Sequence, residues 1–380
     1  MSEWRIPLTD LNYGREEEEA VLRVLRSGWI SMGPEVLAFE QEVAEFQGVK
    51  HVFAVANGTV GLHLALLALR IDRGDEIIQP ALNFVAAANM TVAIGARPVF
   101  ADIISLDEPT IDPTHVEQLI TARTKAIIVM HYGGCLCHMR HLLEICRKHK
   151  LHLIEDACHA IGAAYDETTM AGSIGDIGAF SFFSNKNLAT GEGGMVVTGR
   201  YDLAERVRLL RSHGMSTLTW DRYKGYANTY DVLVQGYNYR LDEIHAALGR
   251  EQLRKLSPGN HRRAELTRLY RKLLSNLPGW NIPFANRNTS SAFHLMSVVA
   301  PHATARDNAV ESLRQQKIQT SLHYPCITGF SGFSGYKQSL VPKSQAFAAR
   351  VITLPLHPKM YDSAVEQVAS ALLRVANSSS

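Results

Sequence analysis

Residues 125–156 read KAIIVMHYGGCLCHMRHLLEICRKHKLHLIED. Two short apolar runs, KAIIVMH (125–131) and KLHLIED (150–156), flank a segment (138–150) whose apolar residues recur with helical spacing. Parallel strands need a long crossover, usually a helix, and both faces of a parallel sheet are covered, which favours continuous apolar runs. The segment therefore predicts a strand, a crossover helix and a second strand parallel to the first.

The same alternation extends over residues 50–200. Five further runs have strand character: HVFAVA (51–56), DEIIQP (75–80), RPVFAD (97–102), GAFSFF (178–183) and GGMVVT (193–198). Helix-like stretches separate several of them. This pattern predicts an α/β protein with a mainly parallel central sheet flanked by helices.

The chain changes character after about residue 242. DEIHAALGREQLRKL (242–256) and HRRAELTRLYRKLLSNL (261–277) read as two long amphipathic helices. Mixed segments with Pro and Gly follow. We therefore expect a large α/β domain over residues 1–245 and a smaller C-terminal α+β domain over residues 246–380.

Composition excludes several classes of protein. The chain has 39 Lys plus Arg and 37 Asp plus Glu, a net charge of +2, which gives no electrostatic case for nucleic-acid binding. The first twenty residues carry charges and no apolar core, so no signal peptide is expected. No apolar run approaches the roughly 18 residues of a membrane helix. Five cysteines in a long chain favour a reducing compartment, and a cytoplasmic location is expected.

Ligands of α/β sheets gather at the carboxyl ends of the strands. Asn57-Gly58-Thr59 follows the first strand and precedes a helix. Backbone N–H groups, a hydroxyl and the positive end of a helix dipole there would suit a phosphate. The alternative is that Asn57 or Thr59 caps the helix. Phe84, after the second strand, could be a core residue or a platform for a planar ligand.

Three reactive side chains follow later strands. Asp156 ends KLHLIED, and His159 follows it; a carboxylate at the end of a buried strand needs a cationic partner or hydrogen bonds. Lys186 follows an aromatic run and precedes a glycine-rich loop (191–199), a setting that a solvated lysine does not need. Pyridoxal 5'-phosphate joins these residues: its aldehyde needs a lysine, its pyridine nitrogen an aspartate, and its phosphate the turn at Gly58.

The chain resembles the DegT/StrS-type sugar aminotransferases, a branch of the fold-type I aminotransferases. The resemblance runs nearly end to end. Its motifs are SGWISMGPEVLAFEQEVAEFQG, VANGTVGLHLAL, QPALNFVAAANM, HYGG, LIEDACHAIGA, GDIGAFSFFSNKNLATGEGGMVVT, RSHGM, QGYNYRLDEIHAALGREQL and LPLHPKM. The lysine block and the GYNYR block are specific when they occur together.

The resemblance implies a role for each matching residue. They are the lysine that bonds to the cofactor (Lys186), the acid on its pyridine nitrogen (Asp156), a group near its phenolic oxygen (His159), the aromatic stacked on its ring (Phe84), phosphate contacts (Gly58, Thr59, Ser181) and an asparagine that reaches the neighbouring subunit's phosphate (Asn238). The last role implies a homodimer with shared active sites.

The resemblance also implies an activity. It is transfer of an amino group from L-glutamate to a keto sugar, here a nucleotide-linked 3-keto or 4-keto deoxysugar, for a surface glycan or a glycosylated natural product. Alternatives are a carbocyclic ketone such as an inosose as acceptor, a sugar dehydratase of the same fold, or a non-enzymatic role. Family dehydratases carry histidine in place of the lysine, so Lys186 argues against that branch.

Three segments remain open. Residues 323–328 depart from the family's HYPPxH pattern near the substrate, so acceptor specificity is expected to differ from the best-known members. The aromatic and basic segment 217–232 is either a lid whose Arg222 or Lys224 meets phosphate, or a solvated loop at the dimer edge. The spacing in Cys135-x-Cys137-His138 with His141 resembles that of metal ligands. The sequence has no second Cys/His cluster that could complete the site, so no metal site is expected.

Overall fold

The protein has a seven-stranded central sheet. The structure, a computed structural model, describes residues 4–217, 220, 223–225, 228–287, 290–336 and 339–378. The strands are β1 (His51–Val55), β2 (Glu76–Pro80), β3 (Arg97–Ala101), β4 (Thr124–Met130), β5 (His152–Asp156), β6 (Ile177–Ser181) and β7 (Gly194–Thr198). Their spatial order is β1-β7-β6-β5-β4-β2-β3.

The seven strands confirm the seven runs found in the sequence, with ends that differ by at most two residues. Strands β2 to β6 pair in parallel, and β7 alone runs antiparallel to both of its neighbours, β1 and β6. The predicted mainly parallel sheet is therefore confirmed. The chain leaves the sheet centre in opposite directions from β2 and β4, and this topological switch opens a crevice at the carboxyl ends of the strands.

Helices cover both faces of the sheet. One face packs against α3 (Gly58–Ala68), α4 (Ala86–Ala93) and α7 (Tyr201–Arg211). The other packs against α2 (Pro34–Gln47), α5 (Pro113–Gln118), α6 (Met139–His149) and the first half of α8 (Glu243–Leu273). Helix α1 (Arg15–Ser27) packs on α8. Apolar burial on both faces explains why the strands read as continuous apolar runs.

The interpretation of residues 242–277 as two helices is wrong. A single 31-residue helix, α8, runs through Pro258. A proline inside a helix costs about 3 kcal/mol. Burial at both ends of α8 offsets that cost: Ala246 and Leu256 pack on the central sheet, and Leu266 and Tyr270 pack in a second apolar cluster.

That second cluster surrounds a two-stranded antiparallel sheet of β8 (Met296–Val299) and β9 (Val351–Leu354). Helices α9 (Ala303–Gln315), α10 (Pro342–Arg350) and α11 (Asp362–Ser378) complete this part of the chain. Ile6, near the amino terminus, also packs in the cluster. The division at residues 245 and 246 stays a prediction. In the part of the chain that the structure describes, no helix is both long and apolar enough to cross a bilayer.

Candidate active site

A cavity of about 480 Å³ opens at the carboxyl ends of β1, β2, β5 and β6. Seven of the eight candidate residues line it: Gly58, Thr59, Phe84, Asp156, His159, Ser181 and Lys186. Asn57, Asn83, Cys158, Asn185, Glu192, His323 and Tyr324 are among its other lining residues. Residues that lie up to 267 positions apart in the chain (57 and 324) therefore meet in one site.

The first turn of α3 forms one wall of the cavity. Asn57 caps the helix, because its side chain accepts a hydrogen bond from the N–H of Val60 at 3.0 Å. Gly58 and Thr59, whose N–H groups have no partner inside the helix, line the cavity. A Cβ added to Gly58 would lie 2.9 Å from the Cβ of Ser181. The turn thus has both a capping residue and exposed N–H groups beside a hydroxyl.

Asp156 ends β5 and is 4% exposed. One carboxylate oxygen accepts a hydrogen bond from Nδ2 of Asn83 and the other from the N–H of Cys158, each at 3.3 Å. No ion pair to Asp156 is present among the described residues. A buried carboxylate with two long hydrogen bonds is well suited to receive a cationic ligand.

The adjacent acid, Glu155, has a structural role. It is fully buried, pairs with Nε2 of His131 at 3.0 Å and accepts three backbone N–H hydrogen bonds from residues 172–175 at 2.6–2.8 Å. Successive strand side chains point to opposite faces of a sheet. The two consecutive acids therefore serve different purposes, and only Asp156 lines the cavity.

Lys186 lies in a turn that follows β6. Its N–H donates to the carbonyl oxygen of Phe183 at 2.8 Å, and burial lowers the pKa of its ammonium group, while the charge of Asp156 opposes that shift. The loop returns to the sheet at Gly194, where an added Cβ would lie 2.6 Å from the carbonyl carbon of Asn57. Glycine is required there because the Lys186 loop and the α3 turn touch backbone to backbone.

The residue after the lysine ties this loop to the rest of the chain. Nδ2 of Asn187 donates to Oδ1 of Asn260 on α8 and to the carbonyl oxygen of Ala292, both at 2.7 Å. Its Oδ1 must then accept the Nδ1–H of His294, at 2.9 Å. The His294 ring in turn lies 4.3 Å, centroid to centroid, from that of His159.

His159 is a buried neutral imidazole. Burial, followed by the positive charge of Lys186, holds its pKa well below the usual range. Its Nδ1 accepts the N–H of Gly133 at 3.4 Å, so the hydrogen-bond network assigns the ring proton to Nε2. That proton is donated to the hydroxyl oxygen of Tyr324 at 2.7 Å. The Tyr324 hydroxyl hydrogen remains available to a further acceptor.

Tyr324 and His323 are cavity residues that the sequence did not identify individually. The only signal was the position of segment 323–328 near the family's substrate. The segment reaches the cavity because Ile327 donates to the carbonyl oxygen of Ala81, just past β2, at 2.9 Å. Burial lowers the pKa of His323 to about 4, and its Nδ1 lies 2.9 Å from the Thr353 hydroxyl.

Phe84 is not a core residue. Its side chain is 55% exposed, and its ring centroid lies 6.0 Å from that of Tyr324. An aromatic side chain that lines a cavity while half exposed presents apolar surface to a ligand or partner. The interpretation of Phe84 as a platform fits this position better than a core role.

Asn238 does not line this cavity. It is exposed and lies in an extended segment that forms a bridge to Ser212. The residues before it are apolar and exposed: Val232 is 53% exposed and Leu233 is 55% exposed. The predicted contact with a neighbouring subunit's phosphate stays a prediction.

The aromatic and basic segment 217–232 is described only in part. Arg222 lies outside the described residues, and Nζ of Lys224 lies 4.6 Å from the ring centroid of Trp220.

The residues with metal-like spacing contact other groups. Cys135 contacts Ser291, Cys137 contacts the carbonyl oxygen of Met130, and His138 contacts Glu108. Within the described ranges, no group of three His, Cys, Asp or Glu side chains is placed to hold a metal ion.

Comparison with known proteins gives matches over almost the whole chain. The sequence model of the DegT/DnrJ/EryC1/StrS aminotransferase family matches residues 12–373. The spore coat polysaccharide biosynthesis protein SpsC of Bacillus subtilis (strain 168) is 40% identical over 369 residues, 94% of this chain and 94% of that protein.

Solved structures agree. The PLP form of the putative sugar aminotransferase Spr1654 from Streptococcus pneumoniae superposes with a TM-score of 0.91 at 26% identity, covering 98% of this chain and 99% of the other. DesI, determined in the presence of its TDP-sugar product, superposes with a TM-score of 0.87 at 31% identity, covering 98% and 93%. These likenesses confirm the predicted aminotransferase fold.

Proposed function

Because this chain belongs to the DegT/DnrJ/EryC1/StrS aminotransferase family, we propose that it moves the amino group of L-glutamate to a nucleotide-linked keto sugar. The chain is a sugar aminotransferase. What we propose beyond this is that L-glutamate is the amino donor, that the acceptor sugar carries a nucleotide, and that the cavity residues hold the cofactor. One observation carries that proposal: Lys186, Asp156 and the amino-terminal turn of α3 line the same cavity.

The phosphate of pyridoxal 5'-phosphate fits the wall at the start of α3. Gly58 and Thr59 offer first-turn N–H groups at the positive end of the helix dipole, and Ser181 offers a hydroxyl. Gly58 itself adds no side chain to this wall, and a Cβ at its position would lie 2.9 Å from the Cβ of Ser181. The residues present therefore fit a phosphate at this wall.

The ring of the cofactor fits between Asp156 and Phe84. The carboxylate of Asp156 is buried without an ion pair among the described residues, so a protonated pyridine nitrogen would supply the missing cation. Phe84 offers an exposed aromatic face. His159 holds Nε2–H toward Tyr324 and stays neutral, so it adds no positive charge near the ring.

Lys186 is the residue proposed to bond to the cofactor and to move protons. When bound, pyridoxal phosphate supplies an aldehyde that bonds to amines and a ring that accepts electrons from the substrate carbon. Burial lowers the pKa of Lys186 and so favours the neutral amine, which is the form that acts as nucleophile and base. Asn187 anchors the chain directly after the lysine through hydrogen bonds to Asn260 and Ala292, so the Lys186 side chain starts from a fixed backbone position.

The acceptor sugar is proposed to bind beside Tyr324 and His323. These side chains reach the cavity from the C-terminal part of the chain, and Glu192 and Asn185 line it from the lysine loop. All four offer hydrogen bonds suited to sugar hydroxyl or carbonyl groups. The TDP-sugar product in the DesI structure supports a nucleotide-linked sugar in this family.

A homodimer with shared sites is part of the proposal. Asn238 lies outside its own chain's cavity and follows an exposed apolar stretch, Val232–Val234. Exposed apolar stretches mark interaction surfaces. A second copy that covers this stretch would bring its own Asn238 to the neighbouring cavity, as the resemblance implies.

Two measurements test the proposal. Borohydride should fix pyridoxal phosphate onto Lys186, as mapped by peptide mass spectrometry, and a label on Lys125 or Lys224 would contradict the assigned lysine. A panel of nucleotide-linked 3-keto and 4-keto sugars, with an inosose as comparison, should then be assayed with L-glutamate. Turnover of the inosose alone would replace the nucleotide sugar as acceptor.

A further inference from the structure

A second, smaller pocket adjoins the cavity behind Lys186. It has a volume of about 20 Å³ and shares Asn185 and Lys186 with the cavity. Ser184, Asn187 and Ala189 of the lysine loop also line it, and its other walls are the amino-terminal segment 9–12, part of α8 (residues 252–263) and Pro358. We propose that this pocket binds a small monovalent anion of the size of chloride.

Arg263 is the main reason. Its side chain lines the pocket, is 5% exposed, and Nη1 donates to the carbonyl oxygen of Leu356 at 2.7 Å. No carboxylate pairs with it among the described residues, and burial alone lowers the pKa of its guanidinium to about 10. An arginine carries five N–H donors and stays charged, so burying it without an anion is costly.

Two other charged residues of the pocket, Asp10 and Lys255, are ion-paired, and burial lowers the pKa of a third, Lys186. Nζ of Lys359 pairs with Asp10 at 2.9 Å, and Nζ of Lys255 pairs with Glu17 at 2.8 Å. The pocket therefore keeps the positive charge of Arg263. A single negative charge would offset it without displacing an existing ion pair.

Two further polar groups near the pocket have no partner among the described residues. Oδ1 of Asn185 is enclosed, and so are both ring nitrogens of His357, whose pKa Arg263 helps to lower. A half turn of the Asn185 amide would present its NH₂ group instead of Oδ1, because the two ends are nearly alike in shape. An anion would then receive hydrogen bonds from Arg263 and Asn185.

A small ligand fits this volume. A water molecule needs about 10–15 Å³, so 20 Å³ admits a water-sized or chloride-sized group. A neutral water would fit but would leave the guanidinium charge without a counter-ion.

Chloride-35 NMR line width tests the proposal on the protein as purified. When free chloride exchanges with a site on the protein, its NMR line becomes broader, and this excess line width saturates as the site fills. Bromide should compete for the same site and suppress the excess line width. Arg263→Gln removes the charge. Gly259→Val fills the pocket from α8, where an added Cβ meets only Pro358 Cγ at 4.0 Å. Each variant should lower the excess line width at least fivefold.

Arg262→Gln is the matched control, because its side chain pairs with Glu265 and Asp362 and does not line the pocket. It should keep the wild-type excess line width. If either Gly259→Val or Arg263→Gln keeps the wild-type value, or if Arg262→Gln loses as much, the pocket is not the anion site. Should Arg263→Gln fail to fold, Gly259→Val decides alone. The outcome does not depend on the acceptor sugar or on transaminase activity.

Discussion

Replacing Asp156 with asparagine keeps the size of the side chain and removes its charge. The carboxylate has two hydrogen bonds of 3.3 Å and no ion pair among the described residues, so its main proposed electrostatic partner is the bound cofactor. A hydrogen bond to a charged group contributes about 1.5–3 kcal/mol. A loss near the upper end, about 2.7 kcal/mol, slows the glutamate half-reaction about a hundredfold.

The assay is a single-turnover measurement of the glutamate half-reaction, followed by the absorbance of the bound cofactor. A second readout is the free energy of unfolding in urea with and without pyridoxal phosphate. We expect Asp156→Asn to lose about 1.5–3 kcal/mol of the stabilisation that the cofactor gives, and to change the cofactor-free protein by less than about 1 kcal/mol. In the cofactor-free protein, Asp156→Asn removes the attraction between the carboxylate and Lys186, which lowers stability. It also avoids the burial of a charge, which raises stability, so the two effects oppose each other.

Asp176→Asn is the matched control. Asp176 is partly buried, ion-paired with Arg200 and outside the cavity. Burial raises the pKa of its carboxyl, but hydrogen bonds from His152, the N–H of Leu153 and Arg200 outweigh burial and lower it to about 2. Its loss should reduce stability but leave the half-reaction within about threefold of wild type. Near-normal turnover of Asp156→Asn would mean that Asp156 only supports the end of the strand, and the proposed cofactor contact would be abandoned.

Three further predictions follow. Mixed dimers of Lys186→Ala and Asn238→Ala should regain activity toward half of the wild-type level, since one site of each mixed dimer is intact; no recovery despite proven subunit exchange would restrict Asn238 to its own chain. Gly58→Ala should weaken pyridoxal phosphate binding at least about tenfold, because the added Cβ would lie 2.9 Å from Ser181; unchanged affinity by fluorescence titration would place the phosphate elsewhere. Burial lowers the pKa of His357 to about 4 from about 6.5, so folding favours its neutral form and stability is lost as pH falls from 6.5 toward 4. His357→Leu should therefore remove about 2 kcal/mol of the change in the free energy of unfolding between pH 7 and pH 5. An unchanged pH dependence in urea titrations would show that His357 does not cause this change.

Much of the fold could be predicted because a buried parallel sheet leaves a local signal. Five of the seven apolar runs end at or directly before Gly, Asn, Asp or Pro, and all seven agree with the strand bounds within two residues. The polar residues that end these runs share one sheet edge by topology alone. This is why Gly58, Asp156 and Lys186 could be assigned to one site before any contact was known.

The remaining features depend on packing between distant segments. Pro258 and Gly259 read as a helix end, yet α8 continues because two apolar clusters hold it on either side. Tyr324 lies 165 residues from His159, and its contact with that ring arises from the docking of segment 323–327 beside β2. Arg263 lies in an amphipathic sequence pattern, in which a charged residue is expected on the solvent-exposed face of the helix. Its burial follows from the amino-terminal segment and Pro358, which local spacing does not encode.

The position of β7 between β1 and β6 affects how the chain is made. Strand β1 ends at Val55, and β7, its ladder partner, begins at Gly194, 139 residues later (194 minus 55). At about 5–20 residues per second, a ribosome needs roughly 7–28 s to synthesise that interval. Throughout this time the nascent HVFAV segment has apolar side chains and unpaired N–H and C=O groups, which are targets for chaperones or for misplaced strand pairing. Cellular yield of this protein should therefore respond to the translation rate between codons 56 and 193, even where the encoded amino acids are unchanged.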